Sequence, residues 1–71
     1  MAVEIRAQIT GTLWKLLVRV GDAVAEEQTV AILESMKMEI PVEAPAAGSV
    51  SAIHVAEGES IEDGALLVTL E

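Results

Sequence analysis

Apolar and polar residues alternate along most of the chain with the period of a β-strand. Val3, Ile5 and Ala7 are separated by Glu4 and Arg6, and a turn follows up to Gly11 before the alternation resumes at Leu13. The inward parity then slips before Leu16, Val18 and Val20, which predicts a bulge or bend between Leu13 and Leu16. Gly21 with Asp22 marks the next turn, Val24 a short strand, and Thr29 to Glu34 a longer one. The sequence Val3 to Glu34 thus reads as four short strands. No stretch combines the length and the 3.6-residue period of a helix.

The second half repeats this pattern. Shifted by 37 positions, residues 1–34 pair with residues 38–71 without a gap, and seven of the 34 pairs are identical. These are Met1/Met38, Ala7/Ala44, Gly11/Gly48, Val18/Val55, Gly21/Gly58, Leu33/Leu70 and Glu34/Glu71. The parity slip recurs in the second copy between Val50 and Ile53. Two such units of four strands, facing one another across an aliphatic core, predict an all-β domain. Its form is a flattened barrel or sandwich of two quasi-symmetric halves. Quasi-two-fold symmetry also predicts that the two ends of the chain meet, at the end of the molecule opposite the junction of the copies.

Composition agrees with this architecture and narrows the function. At 71 residues the chain is one domain, residues 1–71, near the lower size limit for burying an adequate core. It has no cysteine, so neither disulfides nor thiolate-bound metal support the fold. Hydrophobic residues make up 52% but aromatic ones only 1%, the single Trp14. Trp14 is read as a cover for the edge of the core, with a docking patch as the alternative. Twelve acidic residues against four basic ones give a net charge of -8, which disfavours nucleic acid and anionic membranes as partners. A basic protein partner is the natural complement. Without a basic, apolar leader or a membrane-length apolar run, the chain reads as a cytoplasmic protein, monomeric when isolated. It starts and ends almost flush with its outer strands, which favours a free-standing protein.

The residues left between the copies are Ser35, Met36 and Lys37. The run Glu34-Ser35-Met36-Lys37-Met38-Glu39 brackets one of only two lysines with methionines and then with glutamates. Two strands, Thr29 to Ser35 and Met38 to Ala44, are predicted to meet in a tight turn at Met36 and Lys37. Period 2 then puts Met38, Ile40 and Val42 inside and Lys37, Glu39 and Glu43 outside. The turn lacks the Asn-Gly or Asp-Gly pair that favours a tight hairpin, so stability is not what selects its residues. His54 lies between inward Ile53 and Val55 and is expected on the surface, with no second histidine or cysteine for a metal or catalytic role. No phosphate-binding glycine loop and no Ser/His/Asp set is present, which argues against an enzyme.

The ESMKME run, followed by Ile40 and Pro41, resembles the attachment signature of biotinyl domains. The likeness covers the whole chain, including Val18-x-x-Gly21-Asp22-x-Val24 and the turns at Gly11 and Gly48, and is strongest to free-standing bacterial biotin/lipoyl attachment proteins. It implies the barrel-sandwich hybrid of that family, without the thumb that some carriers insert in their first half. It implies a non-catalytic biotin carboxyl carrier with biotin in amide linkage to Lys37, attached by a biotin protein ligase that supplies the activated acid. Met36 and Met38 would flank the biotin, and Glu34 and Glu39 would form an acidic rim for ligase or partner recognition. The biotin would be carboxylated at a biotin carboxylase and pass the carboxyl group on at a carboxyltransferase. A lipoyl carrier on the same fold is the first alternative, although lipoyl domains usually place Asp-Lys-Ala at this hairpin. A small adaptor domain without cofactor is the second. The family also favours glycine where this chain has Glu27, whereas the second copy keeps Gly64 there. If Glu27 adopts the left-handed conformation of that glycine it costs roughly 1 kcal/mol, which leaves the geometry of this turn open but not the function.

Overall fold

A computed structural model of the chain describes residues 2–71. The Met1/Met38 match therefore lies outside the described residues. Eight strands follow in order: β1 (Val3–Arg6), β2 (Gly11–Leu16), β3 (Ala23–Val24), β4 (Thr29–Ser35), β5 (Met38–Glu43), β6 (Gly48–Ile53), β7 (Ser60–Ile61) and β8 (Leu66–Leu70). Among the described residues there is no helix, and so none able to cross a membrane. The strands form two antiparallel four-stranded sheets, ordered β1-β8-β6-β3 and β5-β4-β2-β7. The connection from β2 to β3 spans only residues 17–22, with no inserted thumb.

The sheets are not the two sequence halves. Each takes two strands from either half, so that β1 and β3 lie with β6 and β8, while β2 and β4 lie with β5 and β7. A tight turn forces β4 and β5 to be neighbours in one sheet, which leaves β1 to pair with β8 in the other. The hydrogen bonds keep the 37-residue correspondence across this exchange. Gly21 N–H donates to the Val50 carbonyl at 2.8 Å, and Gly58 N–H to that of Leu13 at 2.7 Å. Leu17 N–H donates to Val30 and His54 N–H to Leu67, both at 2.9 Å. Val3 pairs with Leu70, which brings the two ends of the chain together at the counterpart of the β4–β5 hairpin.

The inward residues of both sheets form a single aliphatic core. Leu13, Leu33, Ile61, Leu67 and Leu70 are its largest fully buried side chains, and among the described residues no polar side chain is buried. Burying each of these stabilises the domain by about 1.5–3 kcal/mol, so the interlocked sheets retain what neither half could bury alone. The parity slips are bulges. Register shifts between Leu13 and Lys15 in β2 and between Val50 and Ala52 in β6, with Trp14 and Ser51 as the extra residues. Val20, expected inward, is exposed instead, because the strand ends at Leu16 and the chain, after the Leu17 bond to Val30, leaves the ladder to cross between the sheets. At the end of that crossing the Asp22 carboxylate accepts the Arg19 N–H at 2.9 Å, and Glu59 does the same for Ala56 at 3.0 Å. Glu27 has φ 70° and its counterpart Gly64 has φ 89°, so Glu27 keeps the left-handed conformation without the glycine.

Candidate functional site

The β4–β5 ladder is six pairs long and ends at Ser35 opposite Met38, so only Met36 and Lys37 form the turn. Both have positive φ, 52° and 65°. This is the left-handed combination of a type I′ turn, whose twist matches that of the flanking strands, rather than a plain type I turn. Asn and Gly normally supply it. Here two long side chains do, each at a cost of about 1–2 kcal/mol.

The turn presents its residues outward. Met36 is 92% exposed and Lys37 is also exposed. Among the described residues no hydrogen bond or ion pair engages the Lys37 Nζ; the one ion pair joins Arg6 to Glu4 at 3.0 Å. Met38 departs from expectation. Ile40 and Val42 on the same face are half-buried, but Met38 is 60% exposed, because the last pair of the hairpin projects past the packed core. Both thioethers therefore stand in solvent beside the amine.

Glu34 and Glu39 are directly opposite each other on β4 and β5, both exposed. Like charges in that relation destabilise a ladder slightly, by roughly 0.2–1 kcal/mol. Below them the hairpin is anchored: Leu33 pairs with Leu13 on one side and Ile40 on the other, and is buried. Gly11 completes this anchor in a way its reading as a turn residue misses. A Cβ on Gly11 would lie 2.5 Å from the Glu34 carbonyl oxygen, so only glycine lets β2 approach the hairpin base this closely. The counterpart Gly48 stands in the same relation to Glu71, at 3.0 Å. The signal was present in the repeat, where Gly11/Gly48 and Glu34/Glu71 are identical together.

Elsewhere the chemistry is sparse. His54 is exposed, and its Nε2 lies 2.9 Å from Thr69 Oγ1. No three His, Asp or Glu side chains among the described residues are grouped so as to hold a metal ion. A groove of about 360 Å³ lies along β5, lined by Ile9, Ile40 and Val42 together with Arg6. The Arg6 guanidinium is already engaged, donating to Glu4 and to the Gly64 carbonyl. At the Lys37 tip an accessible primary amine stands on an anchored hairpin, a geometry that suits covalent attachment of a carboxylic acid cofactor.

The sequence model of the biotin/lipoyl family, described as biotin-requiring enzyme, matches residues 1–70. The chain belongs to this family. Among its relatives, the biotin/lipoyl attachment protein of Bacillus subtilis is 44% identical over 68 residues, covering 96% of this chain and 93% of that protein. The biotin carboxyl carrier protein of Streptococcus mutans is 50% identical over 64 residues, 90% of this chain but 49% of the relative; the chain spans about half of that protein. Among solved structures, Kluyveromyces lactis urea carboxylase contains the same biotin/lipoyl fold. It aligns with a TM-score of 0.93 and 34% identity, covering all of this chain and 6% of the carboxylase.

Proposed function

We propose that this chain is a biotin carboxyl carrier, with biotin joined by an amide bond to the Nζ of Lys37, serving a biotin-dependent carboxylase. The observation that carries the reading is the lysine tip: a strained, glycine-free turn lifts an unpaired amine clear of the surface on a ladder fixed to the core. Membership of the biotin/lipoyl family and the likeness to carboxyl carrier proteins support it.

Attachment requires little of the carrier. A biotin protein ligase brings the acid activated as an acyl adenylate; the Lys37 amine attacks the acyl carbon, the amide forms, and the amine loses its proton as AMP leaves. Met36 and Met38 surround the base of the arm with flexible apolar groups that adapt to more than one partner surface. Glu34 and Glu39 give the rim a negative field that orients it toward basic partner surfaces. When bound, biotin supplies a ureido nitrogen that takes up a carboxyl group at one enzyme site and releases it at another. The chain contributes presentation and reach, since a tether replaces a diffusional search by a high effective concentration. In this reading it is a non-catalytic, cytoplasmic single domain.

A second reading, a lipoyl carrier, is favoured by the Bacillus subtilis relative that is named for both cofactors. Intact mass of the protein purified from its own cell, beside a Lys37→Ala variant, separates them. A biotin adduct absent from the variant is expected. A lipoyl adduct supports the second reading, and an unmodified chain refutes both in favour of a cofactor-free adaptor. Thermal stability of the variant stays within about 0.5 kcal/mol of wild type, as for an exposed tip.

A further inference from the structure

The two-fold correspondence provides an internal comparison: whatever the fold needs recurs in both halves, and what stands in only one half answers to something else. Among the described residues three large apolar side chains outside the lysine tip are exposed, Trp14 at 42%, Leu17 at 51% and Val20 at 62%. Their counterparts are polar, Ser51, His54 and Glu57 respectively. The neighbouring cations behave alike, since Lys15 corresponds to Ala52 and Arg19 to Ala56. Residues 5–21 contain no acid and three of the four basic residues, in a chain of net charge -8, whereas residues 42–58 contain two acids and neither Lys nor Arg; of these acids Glu57 reaches the strip, where its carboxylate is held by the Leu16 N–H at 2.9 Å. Under the strip, half-buried Ile32 faces Trp14 and Lys15 on the outer side of the sheet, and its counterpart Thr69 instead bonds His54. In the second half all three polar counterparts are hydrogen-bonded, Ser51 to the Thr69 carbonyl, His54 to Thr69 Oγ1 and Glu57 to the Leu16 N–H, whereas the first half presents apolar side chains at the same places.

We infer that the strip Trp14–Val20 is a docking surface for a carboxylase subunit that presents an apolar surface rimmed with carboxylates. Charge complementarity sets the chemistry of the occupant: the apolar side chains are interleaved with Lys15 and Arg19, and the Lys15 ammonium lies 5.5 Å from the centre of the Trp14 ring. A second copy of this chain would bring these cations against each other and join two bodies of charge -8. Anionic membrane is disfavoured by the same net charge. Position separates this surface from that needed by a ligase. Trp14 and Lys15 stand at the level of Ile32, in the fourth ladder row from the turn, so a body seated there holds the domain and leaves Lys37 uncovered, whereas a ligase has to close over the tip.

The occupant assigned here rests on the carboxyl carrier reading, and the two are tested separately. The other half of the molecule supplies the substitutions: Trp14→Ser, Leu17→His and Val20→Glu together, and in a second variant Lys15→Ala with Arg19→Ala, all residues already tolerated at equivalent positions. Binding of the purified biotin carboxylase and carboxyltransferase subunits from the same cell is measured by titration calorimetry at two salt concentrations. Wild type binds one of them, and the triple variant binds it at least about tenfold more weakly, the scale of losing a buried aromatic anchor. The double variant loses most of the salt dependence. Unfolding curves confirm that both variants fold, and intact mass shows both biotinylated as wild type is. Binding of neither subunit by wild type, or undiminished binding by the triple variant, overturns the inference. Slowed biotinylation of the triple variant reassigns the strip to the ligase, and a wild-type dimer that the variant abolishes reassigns it to self-association; either result also overturns it. Absence of biotin on the native chain refutes the carrier reading and leaves the binding result to stand by itself.

Discussion

Replacing Gly11 by alanine is expected to weaken the base of the lysine hairpin, and the repeat supplies its own reference in Gly48→Ala. Gly11 does not have a positive φ, so alanine there is not strained by its own backbone. Through the unfolded chain alone the change would stabilise by about 0.4–1 kcal/mol. Contact reverses the sign. The new Cβ would lie 2.5 Å from the Glu34 carbonyl oxygen and 3.3 Å from Ser35 Cβ, and the oxygen is backbone that cannot rotate aside. Overpacking of this kind costs about 1–3 kcal/mol, so the net loss is roughly 1–2 kcal/mol and the melting temperature of so small a domain falls by about 4–16 °C. At Gly48 the nearest atoms are the Glu71 carbonyl at 3.0 Å and Leu70 Cβ at 3.2 Å, contacts that relax with shifts of a few tenths of an ångström. Gly48→Ala should therefore lose less than half as much. Thermal and urea unfolding of the two variants measure this directly. A Gly48→Ala loss equal to or greater than that of Gly11→Ala would refute the argument that close approach at the hairpin base selects Gly11.

Three further outcomes are expected. Glu27→Gly, which gives the left-handed turn the residue its counterpart Gly64 already has, raises stability by about 0.5–1 kcal/mol in urea unfolding. Met36→Asn with Lys37→Gly, the residues a type I′ turn prefers, raises it by roughly 1–2 kcal/mol and removes every adduct from the intact mass. Glu39→Lys places opposite charges across the Glu34 pair and stabilises by about 0.2–1 kcal/mol at low salt, a gain that fades in 1 M salt.

Much of this molecule was legible in its sequence because period-2 alternation and turn residues act locally. The strands, the bulges near Trp14 and Ser51 and the exposed Lys37 all follow from residues within a few positions of each other, whereas the conformation of Glu27 stayed open until the structure showed it. What was not legible depends on partners far along the chain. The repeat already implied that the chain ends meet, as β1 and β8 do, but nothing local says that each sheet takes two strands from either half. Parity placed Met38 and Val20 inside, yet parity says which way a side chain points and not whether core exists there. Gly11 looked like a turn residue because its true constraint, the Glu34 carbonyl, lies 23 positions away.

The strain at the tip bears on why the lysine stands between methionines rather than beside a glycine. Two left-handed residues without glycine cost together about 2–4 kcal/mol, against roughly 4–11 kcal/mol of total stability for a domain of this size. Such a conformation persists only where its surroundings over-determine it. They do so here: the β4–β5 ladder has six pairs, its inner row ends on buried Leu33, and Gly11 seats the Glu34 carbonyl against β2. The two-fold counterpart of the turn is the meeting of the chain ends, where β8 and β1 pair with no turn to make. The fold therefore needs a connection of two residues at this point but has no use for these two. A glycine at either position would relieve the backbone, yet it would remove either the amine or a neighbouring apolar side chain, and would leave the arm on a looser base. Strain is accepted where a rigid platform and a specific side chain are needed at the same residue, and on the carrier reading proposed for this chain that residue is Lys37.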